Sequence, residues 1–119
     1  MKFTTTNVAG AVEILAADDF IGIPIKVAGT GVMKAGTPLT AAGAKSADGA
    51  GAAGILLYDV DTAANPNGTI VVQGVINQKK AEAHAGVSYD ESALKTAVPG
   101  IVLRDNIGVN AKGGLNYGF

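Results

Sequence analysis

The 119-residue chain has no cysteine and no tryptophan, and its three Phe, three Tyr and single His leave it poor in aromatic and imidazole chemistry. Without cysteine there is no disulfide scaffold, no thiolate metal site and no Cys nucleophile. Charge is also sparse. Lys and Arg number 9 against 10 Asp and Glu, a net charge of −1, and no basic block stands out. That balance argues against a dedicated nucleic-acid binder. Apolar runs are short: Gly54-Ile55-Leu56-Leu57-Tyr58 falls far below the roughly 20 residues that span a bilayer. The opening Met1-Lys2-Phe3-Thr4-Thr5-Thr6-Asn7 is polar where a signal peptide has its apolar stretch. The expectation is a soluble, unprocessed product, made in the cytoplasm, with no membrane partner.

What is abundant is small. Gly contributes 17 residues and Ala 21, so 38 of 119 positions carry almost no side chain. They lack collagen's strict period and form no repeat. Hydrophobic residues still reach 48% with only 16% charged, too apolar a mixture for intrinsic disorder. The length suits one domain.

The pattern reads mainly as strands. Residues 11–15 and 20–27 are two candidates, and Pro24, which has no N–H for a ladder, predicts that the second is an edge strand or carries a bulge. Lys34-Ala35-Gly36-Thr37-Pro38-Leu39 reads as a turn into a short extended piece. Residues 40–53 are almost wholly Ala, Gly, Ser, Lys and Asp, predicting a coreless, mobile loop. A buried strand over 53–61 and a β-branched strand over 69–76 flank the turn signal Asn65-Pro66-Asn67-Gly68, which predicts a hairpin. Asn77 is placed to cap a helix over 78–85 that Gly86 ends. Ser88-Tyr89-Asp90-Glu91 fits a capping box, with Ala93, Leu94 and Ala97 as the apolar face of a second helix and Pro99-Gly100 as its stop. Ile101-Val102-Leu103-Arg104 is a further strand, followed by a Gly- and Asn-rich tail.

Reactive constellations are scarce. Gly49-Ala50-Gly51-Ala52-Ala53-Gly54 spells G-x-G-x-x-G, but it precedes a strand where dinucleotide binding needs it to open a helix. Asp59 and Asp61 read as solvated acids beside a turn, and Asp18-Asp19 as a loop before a strand. His84 falls in the last turn of a short helix, where it complements the dipole. No G-x-S-x-G elbow occurs. Lys79-Lys80 reads as a wet helix face, and the Asn67-Gly68-Thr69 sequon carries meaning only in a secreted chain. The expectation is a protein with no catalytic residues, no metal ligands and no cofactor, not an enzyme.

A weakly aromatic core gains stability from oligomerisation. Lys2-Phe3-Thr4-Thr5-Thr6 has high β propensity with Phe3 as an apolar anchor, the pattern of a segment that adds to another protein's sheet edge.

The stretch from Ala53 to Asp61, followed by Gly68-Thr69-Ile70-Val71-Val72-Gln73-Gly74-Val75-Ile76-Asn77, resembles the head decoration proteins of tailed bacteriophages, the lambda-type capsid cement family. Lys34-Ala35-Gly36-Thr37-Pro38-Leu39 is similar to their turn, and Gly100-Ile101-Val102-Leu103-Arg104 to the strand after their helical insert; together the match spans about residues 30–106. Phage head-fibre base domains carry a similar pattern, and such a domain, presenting a receptor-binding element, is the alternative. The resemblance implies a mainly β fold with a small helical insert (α+β), compact and tulip-like, that forms homotrimers. It implies a structural virion protein on the outer capsid surface, bound to the major capsid protein at threefold and quasi-threefold positions of the expanded head and holding it against DNA pressure. The implied organisation is a capsid-binding arm within residues 1–10, a β-rich domain over 11–109 with its insert at about 77–98, and a tail over 110–119. The arm residues would be Lys2, Phe3, Thr4, Thr5, Thr6, Asn7 and Val8. The chain departs from the lambda-type pattern in its shorter arm and its Gly-rich tail.

Overall fold

A run of β-branched residues organises the molecule. The computed structural model describes residues 14–104, and among them β6 (Asn67–Asn77) is the long central strand. Its Thr, Ile and Val side chains are stiff at χ1 and pack well on a pleated surface. Five strands precede it: β1 (Leu15–Lys26), β2 (Val32–Met33), β3 (Pro38–Leu39), β4 (Gly54–Leu56) and β5 (Val60–Asp61). Helices α1 (Gln78–Ala85) and α2 (Glu91–Ala97) then lead to β7 (Ile101–Arg104). The protein is mainly β with a small helical part. No described helix is long and apolar enough to cross a membrane.

The main sheet runs β1-β6-β4-β3, with β7 also on β6. β1 lies antiparallel along one edge of β6, from Lys26 opposite Asn67 to Leu15 opposite Ile76. The other edge is therefore shared. β4 takes its first half, antiparallel, with Ile55 opposite Val71. β7 takes the second half, parallel, from Gly74 beside Ile101 to Asn77 beside Arg104. The helical insert is the crossover that a parallel pair requires.

Each face of the sheet carries its own core. Ile55, Val71, Ile76 and Ile101 pack with Ala81 of α1, Leu94 of α2 and Tyr89. Leu56, Ile70 and Leu39 pack on the opposite face with Val27 and Val60, joined by Met33 of the small β2–β5 sheet. Neighbours along β4 and β6 alternate between the two clusters, as the two-residue period of a strand demands. Ile76 shares a face with Val71, five positions away, because β6 is bulged. Ile21 stands opposite Gln73 and Gly22 opposite Val71, so Val72 is the extra residue that switches the alternation.

β1 is one strand where the sequence predicts two; residues 11–13 lie outside the described residues. Asp18 and Asp19, expected in a loop, fall within it, in the irregular stretch between Leu15 and Phe20. Pro24 sits opposite Thr69 on this edge strand, as its missing donor requires. The predicted strand over 53–61 breaks after Leu56. The turn at 34–37 claims that edge: the Gly36 N–H donates to the Leu56 carbonyl (2.8 Å) and the Ala35 N–H to the Asp59 carboxylate (2.8 Å). Tyr58 is left 57% exposed, and Val60–Asp61 pairs with β2 instead. The turn itself moves to Asp61, whose carbonyl accepts from Ala64 and Asn65 and whose carboxylate accepts from Ala63. β6 starts at Asn67 because Gly68 and Asn67 already pair with Ile25 and Lys26.

The loop over 40–53 is also corrected: its small residues pack. Ala52 is buried, and a Cβ on Gly49 would stand 2.8 Å from the Cβ of Leu94, so the loop passes where only glycine fits against α2. Ser46 Oγ donates to the Ala50 carbonyl and accepts from the Gly49 N–H, and the Gly43 carbonyl accepts from Ala28.

α1 spans the predicted residues, with the Asn77 side chain accepting from the Lys80 N–H and Gly86 ending it at φ 72°. α2 differs: its N-cap is Asp90, which accepts from Ala93 (3.1 Å), and Ser88 is not the cap. Tyr89 explains this. Its N–H donates to Glu82 Oε2 (2.7 Å) and its hydroxyl to the Gly36 carbonyl (2.5 Å), while the Asp90 N–H donates to the Asp48 carbonyl (2.8 Å). These ties hold the chain extended through Tyr89, so the helix starts two residues late. Asp90→Ala is expected to cost about 1 kcal/mol and Ser88→Ala less than about 0.5 kcal/mol, compared by thermal unfolding.

Candidate interaction surface

The sequence-predicted capsid-binding residues Lys2, Phe3, Thr4, Thr5, Thr6, Asn7 and Val8 lie outside the described residues, as does the 110–119 tail. Where the chain enters and leaves the sheet is defined. The Ile14 side chain is buried and its carbonyl accepts from the Asn77 N–H (2.7 Å). Arg104, at the end of β7, stands beside the same Asn77. Ile14 and Arg104, the first and last described residues, therefore lie at the same end of the sheet.

Next to that end the sheet shows apolar surface. On β1, Phe20, Ile21 (50%) and Ile23 are exposed, and Val102 of β7 is 37% exposed. Ile21 stands opposite Gln73, and Val102 beside Val75, across the second half of β6. Phe20, Ile21, Gln73, Val75 and Val102 line a shallow groove together with Gly74 and Gly100. A Cβ on Gly100 would lie 2.6 Å from the Val72 carbonyl oxygen, so the groove stays free of a side chain at that position. The outer edge of β1 has no strand partner among the described residues. Pro24 interrupts its donors, a feature that limits indiscriminate edge pairing.

The most polar cluster lies where α1 meets the connection between β4 and β5. His84 Nε2 and Asp59 Oδ1 are 2.8 Å apart, with side chains 17% and 35% exposed. The same carboxylate oxygen accepts from the Ala35 N–H. Burial pushes the Asp59 carboxyl up, but the Ala35 hydrogen bond, the His84 hydrogen bond and charge, and Lys34 together outweigh it and hold the group below its ordinary value. Nearby, burial and the Glu82 charge push the Tyr89 phenol above its ordinary value. Asp59 is thus engaged and off the strand, and Asp61 caps a turn, so the two carboxylates do not converge. Among the described residues no group of three or more His, Asp or Glu is placed to hold a metal ion. Gly49 and Gly51 lie in the loop before β4, and open no helix.

The cluster fastens α1 to the sheet. The Asp59–His84 pair spans 25 positions, and no local signal marks it in the sequence. The sign of its pH dependence follows from the lowered carboxyl. Its contribution is complete above the ordinary value of 3.8 and is lost as pH falls through the lower folded value. Asp59→Asn keeps an acceptor for Ala35 and removes the charge. The expected result is a melting-temperature deficit at neutral pH, worth less than about 1 kcal/mol at so exposed a pair, that closes in acid. A deficit unchanged across that range would be the contrary outcome.

Comparison of the chain with protein-family models, with curated proteins and with solved structures gives no match.

Proposed function

We propose that the protein is a structural virion protein of a tailed phage, a homotrimer of tulip-like decoration fold. It binds the exterior of the expanded head at threefold and quasi-threefold positions and stabilises it against internal DNA pressure. One observation carries this reading: the separate segments that resemble the cement family come together as one block. The end of the 34–39 turn forms β3, which pairs with β4; β4 and β7 both pair with β6. The resemblance thus follows a contiguous sheet and its crossover, and is not scattered over unrelated loops.

The physical logic suits the role. Many identical, individually weak attachments across a lattice call for matched small-residue surface and a tether. Three arms on one base raise the effective concentration of the second and third once the first has bound. Because such a ligand binds the assembled shell preferentially, it stabilises that state by linkage. The test is addition of the protein to purified, expanded phage heads, with light scattering on the free protein. Saturation near the number of threefold and quasi-threefold sites, with a trimer in solution or formed on the head, is expected. Absence of binding would overturn the proposal.

A further inference from the structure

The main sheet is covered unevenly on the face that carries Leu56 and Ile70. Over its first half the β2–β5 sheet supplies Val60 and Met33, and Ile70 and Leu56 are almost completely buried. Over its second half the same face carries an apolar platform. Ile21 and Ile23 continue the face of Ile25, which packs with Leu56, while Val75 and Val102 alternate with Ile76 and Ile101 of the opposite core. Ile21 is 50% exposed and Val102 37%. Adjacent apolar side chains left bare across three strands mark an interaction surface.

The edges of this half say what fits there. Among the described residues β1 and β7 each pair only with β6, so the sheet is open on both sides. β1 runs antiparallel to β6 and β7 parallel to it, so the two open edges run in opposite directions. Each edge is therefore an antiparallel match for the other edge of a second copy. The ladder fixes which groups β1 offers. The Val27 N–H donates to the Pro66 carbonyl while Lys26 stands opposite Asn67, so Ile25 and Ile23 aim their backbone groups at β6, and Pro24 and Gly22 aim theirs outward. Pro24 lacks an outward donor, but Gly22, between Ile21 and Ile23, keeps one. Charge matches as well. Asp19 of β1 and Arg104 of β7 are exposed, opposite in sign and without a salt-bridge partner among the described residues.

We propose that copies of this chain join through this half of the sheet: β1 of one copy pairs with β7 of the next, and the sheets curl so that Ile21, Val75 and Val102 of all copies face one another inside. A head-to-tail contact of this kind closes into a ring or runs on as a fibre. Strand number selects the ring. Each copy brings β1, β6 and β7, so three copies bring nine strands, close to the about eight at which side chains just fill a barrel. Two copies would close too tightly, and four would leave an interior too wide for three apolar side chains apiece. The curvature is built in: β6 is bulged at Val72 where the platform begins, and Gly74 follows, where a Cβ would stand 2.9 Å from the Cβ of Phe20. This specifies the contact within the proposed homotrimer and rests on that reading, but attachment to a head plays no part in it.

The test is light scattering of the full-length chain across concentration, where a trimer and nothing larger is expected. Ile21→Asp and Val102→Asp should raise the concentration of half-assembly at least about tenfold, because each puts a charge inside the contact. Val32→Asp and Tyr58→Asp, at positions 56% and 57% exposed on other surfaces, should leave it unchanged. Disulfides read the pairing independently, since the chain has no cysteine of its own. Val102→Cys is combined in turn with Phe20→Cys, Ile21→Cys and Ile23→Cys. Within one copy β1 and β7 are two strand spacings apart, about 10 Å, beyond the reach of a disulfide, so any bridge joins copies. Oxidation of one such double variant should give linked trimers, and the single-cysteine chains should stay unlinked. A monomer at every concentration would overturn the contact, and if it still saturates heads, the head-binding reading survives. A trimer disrupted as expected that binds no head would keep the contact and remove the capsid. Assembly indifferent to both platform aspartates, or bridges in single-cysteine chains, the mark of a twofold contact, would also overturn the proposal.

Discussion

Gly36→Ala is expected to lower the melting temperature by roughly 10–20 °C, corresponding to about 3–5 kcal/mol in a domain of this size. Gly36 is where four parts of the molecule meet. Its N–H donates to Leu56 of β4, its carbonyl accepts the Tyr89 hydroxyl, and its Cα faces the backbone of Ala81 in α1. Its φ is +95°, in the left-handed range, and an added Cβ would stand 2.6 Å from the Ala81 carbonyl oxygen. Two costs therefore add. A non-glycine residue held at positive φ loses about 1–3 kcal/mol, and forcing a methyl against fixed backbone costs a further 1–3 kcal/mol or so, as overpacking does. Against a typical total stability of about 5–15 kcal/mol, the sum leaves a marginal fold.

Gly29→Ala is the internal control that separates the two costs. Its φ is +100°, almost the same, yet nothing lies within 4 Å of the added Cβ. Only the conformational cost applies there, about 1 kcal/mol at the low end of the range. Thermal or urea unfolding of the two variants should place Gly36→Ala well below Gly29→Ala. Equal midpoints would mean that the turn over 34–37 does not press against α1 in solution.

Gly36 also illustrates which features were legible in the chain. Local chemistry was: Asn77 and Gly86 bracket α1 because a cap is decided by residues a few positions apart, and the β-branched run of β6 needs no partner to declare itself. Features set by distant groups were not. Asp90 displaces Ser88 as the cap of α2 because Tyr89 reaches the Gly36 carbonyl, 53 positions away. The strand over 53–61 breaks because Ala35 claims the Asp59 carboxylate, 24 positions away. The loop over 40–53 looked coreless because Gly and Ala bury little area, yet their smallness is what lets Gly49 lie against Leu94. The candidate surface was legible in part. Pro24 announced an edge strand, whereas the exposed platform follows from the switch of faces at Val72, which no two-residue pattern reveals.

On the proposed capsid reading, deletion of residues 2–8 is expected to weaken attachment to expanded heads by roughly 10²–10⁴-fold, the span by which linked sites exceed single ones. The size comes from multiplicity. A single segment of seven residues ordered by strand addition offers modest affinity, because it loses backbone entropy of about 1–2 kcal/mol per residue as it binds. Three such segments on one trimer bind in succession at high local concentration, and the deletion removes all three together. The cut leaves the domain intact because it stops short of Ile14, whose buried side chain and bond to Asn77 anchor the start of β1. Thermal unfolding of the truncated protein should therefore match the full chain while binding collapses. Phe3→Ala, which removes the one large apolar side chain of the arm, should give a smaller loss in the same direction. Titrating full-length with truncated protein extends the measurement: if arms act in threes, binding falls more steeply than the fraction of full-length chains. Undiminished binding by the truncated protein would remove the arm from the attachment, and a linear fall would remove its cooperation within a trimer.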